Sequence, residues 1–572
     1  MPSTHRPAGP PADLVFAGGP VHTVDAARSR ATAVAVRGER IVAVGHDEVR
    51  REWTGPRTEV VDLAGKLLVP GFQDAHVHPV GAGIELGRCH LNDSTDAAEY
   101  VRRVAAYAAA HPDAEWITGG GWSMEAFPGG TPTADLLDAV VRDRPVYLPN
   151  RDHHGAWVNS RALELAGIDA RTPDPADGRI ERDADGRPTG MLQEGAANTV
   201  ARLLPEATLQ VKVDGLLRAQ RELHAFGVTG WQDAILGELV DLTDPTEAYL
   251  AADRDGLLTA RVNGALWWDR ERGAEQIPEL VERRAATRGT GLRATSVKIM
   301  QDGITENFTA AMLGDYLEGH GSGSGSPSGS GSGSGCGCAP TGNSGLSFVD
   351  PDLLCSYVTE LDALDFQVHF HALGDRAVRE ALDAVEAART ANGRRDTRPH
   401  LAHLQVVDPA DVPRFRRLGA TANIQALWAV HEPQMDELTI PFLTAERAAH
   451  QYPFGDLLRS GATLAAGSDW PVSSPDPLAA LHVAVCRRPF GEPDTPRFLY
   501  GQRLDLGAAL AAYTAGSAYV NHRDDTGVIA EGRLADLALL DRDPFEGPED
   551  EIGATRVAAT YVGGRRVYAA EP

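Results

Sequence analysis

Short apolar runs, each closed by glycine, proline or a polar cluster, alternate along the chain with longer stretches of helical periodicity. One series of such runs reads as strands. It begins with the run that ends in His76-Val77-His78 and continues with Gly227 to Asp233, Thr259 to Trp267 and Ser296 to Met300. Phe366 to His371, His400 to Leu404, Thr421 to Gln425 and Ala462 to Ser468 complete it. Segments of helical pattern, such as Val211 to Phe226 and Arg376 to Ala391, separate most of them. Strand and helix in alternation imply parallel βαβ units. The expected fold class is α/β, a (β/α)8 TIM-like barrel.

Two other patterns flank or interrupt this series. Asp13 to Ala17, Ala33 to Val36 and Arg40 to Val44 near the start, and Asp536 to Leu540 and Val557 to Val567 near the end, alternate with glycine-bearing turns. They read as short antiparallel strands, with Gly563-Gly564 as a hairpin signal. Gly83 to Pro205 is too long for one strand-to-helix connection. It carries strand-like Trp116 to Thr118 and Val146 to Leu148 and helix-like Asn159 to Ala166. It is expected to be an inserted subdomain over the barrel mouth. The division that follows is a β-sandwich from 1–70 with 525–572, a barrel from 71–82 with 206–524, and an insert at 83–205. Residues 319–345 are rich in Gly-Ser repeats, have little apolar surface to bury and read as a flexible linker with a reach of about 25 Å. Within it, Cys336 and Cys338 are either a soft-metal or redox pair or incidental.

The candidate chemistry sits at the ends of these runs. Residues two apart on a strand share a face, so His76 and His78 converge, with Asp74 on the same side. Neutral imidazole is a common ligand of zinc-like ions, yet an HxH pair gains weight only if further ligands follow. Lys298 interrupts an apolar strand. His369 and His371 share a face on the next, His400 and His403 lie on the one after, and Asp469 follows Gly467-Ser468. All lie at or near C-terminal strand ends, where (β/α)8 barrels build their sites. Either member of each later histidine pair can be the ligand. Lys298 can instead be salt-bridged to Asp302 or another carboxylate, and Asp469 can be an N-cap or turn aspartate before Pro471. Asp302, Asp375 and Arg376 read as capping or salt-bridge residues.

The order HxH, Lys, His, His, Asp resembles the amidohydrolase superfamily. The segments Gly-Phe-Gln-Asp-Ala-His-Val-His-Pro, Val-Lys-Ile-Met-Gln-Asp-Gly, His-Ala-Leu-Gly-Asp-Arg-Ala and Gly-Ser-Asp-Trp-Pro-Val look like its YtcJ-like branch, which includes N-substituted formamide deformylases. The resemblance spans nearly the whole chain, apart from the extreme N-terminus and the Gly/Ser stretch. It implies that the two ends pair into a β-sandwich beside the barrel. It also implies a divalent metal, zinc or another ion that N/O ligands accept, as one or two ions. His76, His78 and Asp469 would hold one ion, and His371 and His403 a second. Two such ions repel unless an anion bridges them, and a carboxylated Lys298 would be that bridge. Asp469 would move the proton during hydrolysis of a carbon–nitrogen bond. Trp122, His154 and Glu194 match motif positions in the insert and are expected to shape the substrate site. The alternative is that Trp122 packs, His154 satisfies a backbone group and Glu194 is solvated. Trp157 and Trp267-Trp268 are further candidates for an apolar pocket.

The substrate class implied is an N-substituted formamide or N-acyl amide. A mononuclear deaminase of the same superfamily is disfavoured, because Gly374 stands where such enzymes usually carry a glutamate, three residues after the strand-five histidine. A non-catalytic amidohydrolase-like binding protein is disfavoured because every ligand position is filled. Lys+Arg 54 against Asp+Glu 80 leaves a net charge of −26, which opposes binding to nucleic acid or anionic membrane. No apolar run reaches the roughly 18 residues a membrane span needs. The first residues lack a signal-peptide core, and five cysteines are too few for a disulfide framework. A cytoplasmic enzyme with a small-molecule substrate is expected, as a homodimer by resemblance alone.

Overall fold

Gly71 divides the first apolar run between two sheets. A Cβ there would fall 2.4 Å from the Thr229 side chain, so only glycine lets the backbone turn at this point. Before it, Leu67–Pro70 pairs antiparallel with Leu537–Leu540. After it, Phe72–Val77 pairs parallel with Val228–Leu236. The computed structural model describes residues 10–92, 94–238, 244–318 and 339–571.

The central sheet is the predicted barrel. Its strands are β1 (Phe72–Val77), β2 (Val228–Leu236), β3 (Arg261–Trp267) and β4 (Leu292–Met300), then β5 (Gln367–Ala372), β6 (His400–His403), β7 (Thr421–Ile424) and β8 (Thr463–Ala466). All adjacent pairs from β1 to β8 run parallel, in sequence order. Helices such as Leu209–Ala225, Ile277–Ala286, Pro351–Ala363 and Asp375–Asn392 cover the outside. These strands are buried over most of their length, and the polar side chains they carry, such as Gln232, Lys298, His369 and Asn423, are enclosed with them.

The seam between β8 and β1 is closed beyond the strand itself. The Asp469 N–H donates to the His76 carbonyl at 2.8 Å, and the His78 N–H to the Trp470 carbonyl at 3.0 Å. Gly467 lies so close to β1 that a Cβ would meet His76 at 2.7 Å. Asp74 locks the junction: its carboxylate accepts from the His76 N–H at 3.0 Å, the Ser468 N–H at 3.1 Å and the Ser468 hydroxyl at 2.6 Å. Asp74 is therefore a structural clasp, and its neighbours are delivered to one point.

The chain ends form one hydrogen-bonded sheet of eight strands, in which Leu67–Pro70 joins Leu14–His22 to Leu537–Leu540. Phe16 and Tyr561 are three strand steps apart, about 14 Å in a flat sheet. Their rings meet at 5.0 Å, so the sheet folds over its own apolar face in the manner of a sandwich. A six-stranded sheet lies between β1 and β2 in sequence. It contains the expected Ile117–Gly120 and Val146–Pro149, and also Gly155–Val158 and the hairpin Gly178–Arg182/Pro188–Glu194. Asn159 caps the helix Ser160–Ala166 through its side chain.

Residues 319–338 of the expected linker, with Cys336 and Cys338, lie outside the described residues. The expectation of a free linker fails for 339–345. Thr341 N–H donates to the Tyr316 carbonyl at 2.9 Å, Met312 N–H to the Ser344 carbonyl at 2.9 Å, and Arg376 Nη2 to the Gly345 carbonyl at 3.1 Å. Backbone donors and acceptors anchor this stretch where side chains offer little to bury. Among the described residues no helix is long and apolar enough to cross a membrane.

Candidate metal centre and active site

The C-terminal ends of the barrel strands open into a cavity of about 590 Å³. His76, His78, Lys298, His371, His403 and Asp469 all line it. Asp469 Oδ1 lies 2.9 Å from His78 Nε2 and 3.2 Å from His76 Nε2, and Oδ2 lies 3.9 Å from His403 Nδ1. One ligand atom from each of His76, His403 and Asp469 falls within 4.8 Å of the others. His403 stands between the two expected ligand groups: its ring centroid is 4.7 Å from that of His76 and 4.5 Å from that of His371. Lys298 Nζ is 3.5 Å from His76 Nε2 and from His369 Nε2. Among the described residues no ion pair joins Lys298 to Asp302, whose carboxylate is turned to His371 and to the backbone N–H groups of Ala311, Leu373 and Gly374.

Depth separates the two histidine pairs. His369 and His400 lie beneath the cavity floor, with ring centroids 3.9 Å apart, and hydrogen-bond to Gln232. His371 and His403 reach the cavity. Asp302 is the orienting partner of His371. Its carboxylate caps the turn by accepting from the Leu373, Gly374 and Ala311 N–H groups and takes His371 Nδ1 at 3.2 Å. That contact leaves His371 Nε2 free to face the cavity, as carboxylate partners do for metal-binding histidines. Asp375 pairs with Arg447 at 3.1 Å. Trp428, which the sequence reading passed over, stacks on His403 with centroids 5.2 Å apart and rings 2° from parallel.

Electrostatics match a cation site. Burial pulls His76 down to about 3 and holds His369, His371, His400 and His403 well below the usual histidine value, so these rings are neutral. Burial would raise the Asp469 carboxyl, but its contacts, the His78 Nε2 hydrogen bond among them, hold it well below the usual carboxylate range. Burial brings the Lys298 amine down to about 7. Neither ring nitrogen of His403 has a hydrogen-bond partner among the described residues, and His78 Nδ1 is likewise unsatisfied. Buried donors and acceptors are normally paired. Neutral imidazoles with an ionised carboxylate and unsatisfied nitrogens are the donor set that a divalent cation fits.

The insert contributes a second wall. His154 Nδ1 pairs with Glu194 Oε2 at 2.9 Å, and Glu194 Oε1 accepts from the Thr309 hydroxyl at 2.7 Å. Burial opposes charge on His154, but Glu194 outweighs it and pushes the imidazole up to about 9. Among the described residues His154 Nε2 has no hydrogen-bond partner, and the ring centroid sits 5.4 Å from that of His371. Trp122 is not part of this wall. It is fully buried against Phe127 and Trp157, and its indole N–H donates to the Leu148 carbonyl at 2.8 Å. The substrate-shaping expectation for Trp122 is therefore replaced by a packing role. Trp157 and Trp268 are also buried away from the cavity, while Trp267 lines it.

A family profile described as "Amidohydrolase family" matches residues 59–568. The Arabidopsis thaliana protein LONG AFTER FAR-RED 3 is 30% identical, with 99% of this chain and 94% of that one aligned. The putative amidohydrolase YtcJ of Bacillus subtilis is 28% identical, over 97% and 99%. An N-substituted formamide deformylase from Arthrobacter pascens is 28% identical, over 96% and 97%. Among solved structures, a metal-dependent hydrolase from Pyrococcus horikoshii shares the fold at a TM-score of 0.70 and 24% identity, over 94% of this chain and 99% of that one.

Proposed function

The chain belongs to the amidohydrolase family, and from that premise we propose that it is a metal-dependent hydrolase cleaving the carbon–nitrogen bond of an N-substituted formamide or N-acyl amide. The observation that carries this reading is the convergence of four neutral or metal-competent histidines, Asp469 and a buried lysine on one cavity. His76, His78, His403, His371 and Asp469 would hold one or two divalent ions, which supply Lewis acidity toward a carbonyl oxygen and toward water.

The chain's own groups supply the rest. Asp469, ionised and aimed into the cavity, accepts the proton of the attacking water and returns it to the leaving nitrogen. Lys298 in its neutral form adds carbon dioxide: its nitrogen lone pair forms the N–C bond, one proton leaves, and an anionic carbamate results. Burial, by lowering the amine to about 7, makes that neutral form available. His154, charged by its contact with Glu194, offers Nε2–H as a donor to the substrate's acyl oxygen. Trp267, Leu427 and Met435 give the cavity an apolar side for the N-substituent. The full-length similarity to the formamide deformylase supports the substrate class. Gly374, three residues after His371, argues against a deaminase that needs a glutamate there.

Metal analysis of protein purified without chelator, followed by a panel of N-alkyl and N-aryl formamides and acetamides, tests the proposal. The expected result is about two divalent ions per chain and turnover of formamides that chelation abolishes. A chain that neither retains nor takes up divalent ions, with no amide turned over, overturns it.

A further inference from the structure

Gln232 is fully buried in the middle of β2, between Trp231 and Asp233, and no step of the proposed chemistry touches it. Its surroundings nevertheless fix its orientation completely. Gln367 Nε2 donates to two backbone carbonyls, Arg398 at 2.8 Å and Val520 at 2.6 Å. Carbonyls only accept, so the Gln367 amide cannot be turned around, and its Oε1 must face Ser296 Oγ and Gln232. The group that Gln232 presents to Gln367 Oε1, at 3.1 Å, is therefore its NH2. Gln232 Oε1 is left facing His369 Nδ1 at 2.7 Å and His400 Nε2 at 3.2 Å.

An amide oxygen only accepts, so both imidazole nitrogens must carry hydrogen. An independent contact agrees for His400. Asn423 Nδ2 donates to the Ala75 carbonyl at 3.0 Å, which fixes that amide too, and the same NH2 lies 3.2 Å from His400 Nδ1. His400 thus accepts at Nδ1 and donates at Nε2. His369, neutral and protonated on Nδ1, has a bare Nε2. That nitrogen lies 2.9 Å from His76 Nδ1, which must then be the protonated nitrogen of His76. The His76 Nε2 lone pair is left pointing at Asp469 Oδ1, 3.2 Å away. Two acceptors face each other there with no proton between them; in the metal-free chain Lys298 Nζ, 3.5 Å from the same nitrogen, is a donor within reach, and a metal cation would satisfy both acceptors.

We infer that Gln232, acting through His369, holds His76 in the tautomer that presents its Nε2 lone pair to the metal site. Gln232 is a positioning residue three groups removed from the metal, set by a relay whose far end is anchored on backbone carbonyls. The purpose of the relay rests on the metal-dependent reading above, whereas the tautomer is a property of the metal-free chain.

Two measurements separate these. The first is ring 15N NMR of metal-free protein carrying 15N-histidine, with the His76 signal assigned from a His76→Gln sample. It should show His76 protonated at Nδ1 and bare at Nε2, and Gln232→Leu should shift proton population onto Nε2. The second is zinc affinity by competition with a chromophoric chelator. Gln232→Leu should weaken binding by about 10–100-fold, as loss of an orienting partner does. Gln232→Glu, as the neutral acid that burial favours, keeps a carbonyl acceptor toward His369 and donates its O–H to Gln367 Oε1, while Asn521, whose Nδ2 is unpartnered among the described residues, can turn its amide toward the new side chain. That variant should bind zinc close to the wild-type level. His76 protonated at Nε2 in the wild type overturns the inference even if neither variant folds. So does Gln232→Leu with wild-type affinity, or Gln232→Glu losing as much as Gln232→Leu. A wild-type chain that binds no zinc removes the hydrolase reading, and the 15N result then decides the tautomer alone.

Discussion

At the scale of single residues, the site concentrates conformations that side chains resist. Asp469 has φ +56, His403 φ +79 and Glu194 φ +51, each in the left-handed region and each costing about 1–3 kcal/mol. Each is held by a hydrogen bond from its own backbone N–H: Asp469 to the His76 carbonyl, His403 to the Gln425 side-chain Oε1 at 2.7 Å, and Glu194 to the His154 carbonyl at 2.8 Å. Asp469→Asn keeps the shape but loses the proton acceptor, so steady-state turnover should fall by about 10²–10⁴-fold. Undiminished turnover in that variant would assign the proton to another group. Lys298→Ala should lower bound metal by at least one ion equivalent, about half the complement of a two-ion site. Added formate or acetate should restore part of it by replacing the carbamate. Unchanged metal content in Lys298→Ala would rule out the bridge.

At the scale of elements, the meeting of β8 with β1 decides the geometry of the site. Gly467 allows backbone contact, and Asp74 ties Ser468 and His76 to one carboxylate. A methyl group at Gly467 would meet the His76 backbone and Cβ at 2.7 Å, neither of which can swing aside. Gly467→Ala should therefore destabilise the fold by about 1–3 kcal/mol through overpacking. It should also weaken metal binding, because Asp469 and His76 shift apart. Urea denaturation and chelator competition on the same sample check both halves. A stable variant with intact metal affinity would show that the seam has slack.

For the whole molecule, the insert's buried His154–Glu194 pair ties it to the barrel, because Glu194 also accepts from the Thr309 hydroxyl. His154 titrates at about 9 when folded, above its ordinary 6.5. Its stabilising contribution is therefore fully present below about pH 6.5 and is lost as pH rises through about 9. Glu194, held below its ordinary value despite burial, contributes above that value and loses its contribution as pH falls. Calorimetric melting of wild type and His154→Gln between pH 6 and 10 should give curves that converge toward the alkaline end. Parallel curves across that range would mean that the pair is neutral in the folded protein.

The amino-acid sequence determined what depends on local periodicity. Apolar runs separated by helical patterns specified the order of strands, and spacing alone put His76 and His78 on one face. Lys298 and Asp469 stood out because charge in or beside a buried strand is costly unless it has a task. Periodicity encodes face and order; it carries no depth. His369 and His371 share a face, and only the assembled barrel puts one below the cavity floor and the other in it. His400 and His403 are sorted in the same way. Trp122, matched by motif, and Trp267 look alike as letters, yet one packs inside the insert and the other lines the cavity. Gln232 was visible as a polar residue in a buried run, but its meaning depends on Gln367, His369, His400 and Asn521, drawn from across the chain. Partners remote in sequence leave no local pattern, so the candidate metal-ligating residues could be named from the strand ends while the hydrogen-bonded chain beneath them required the fold.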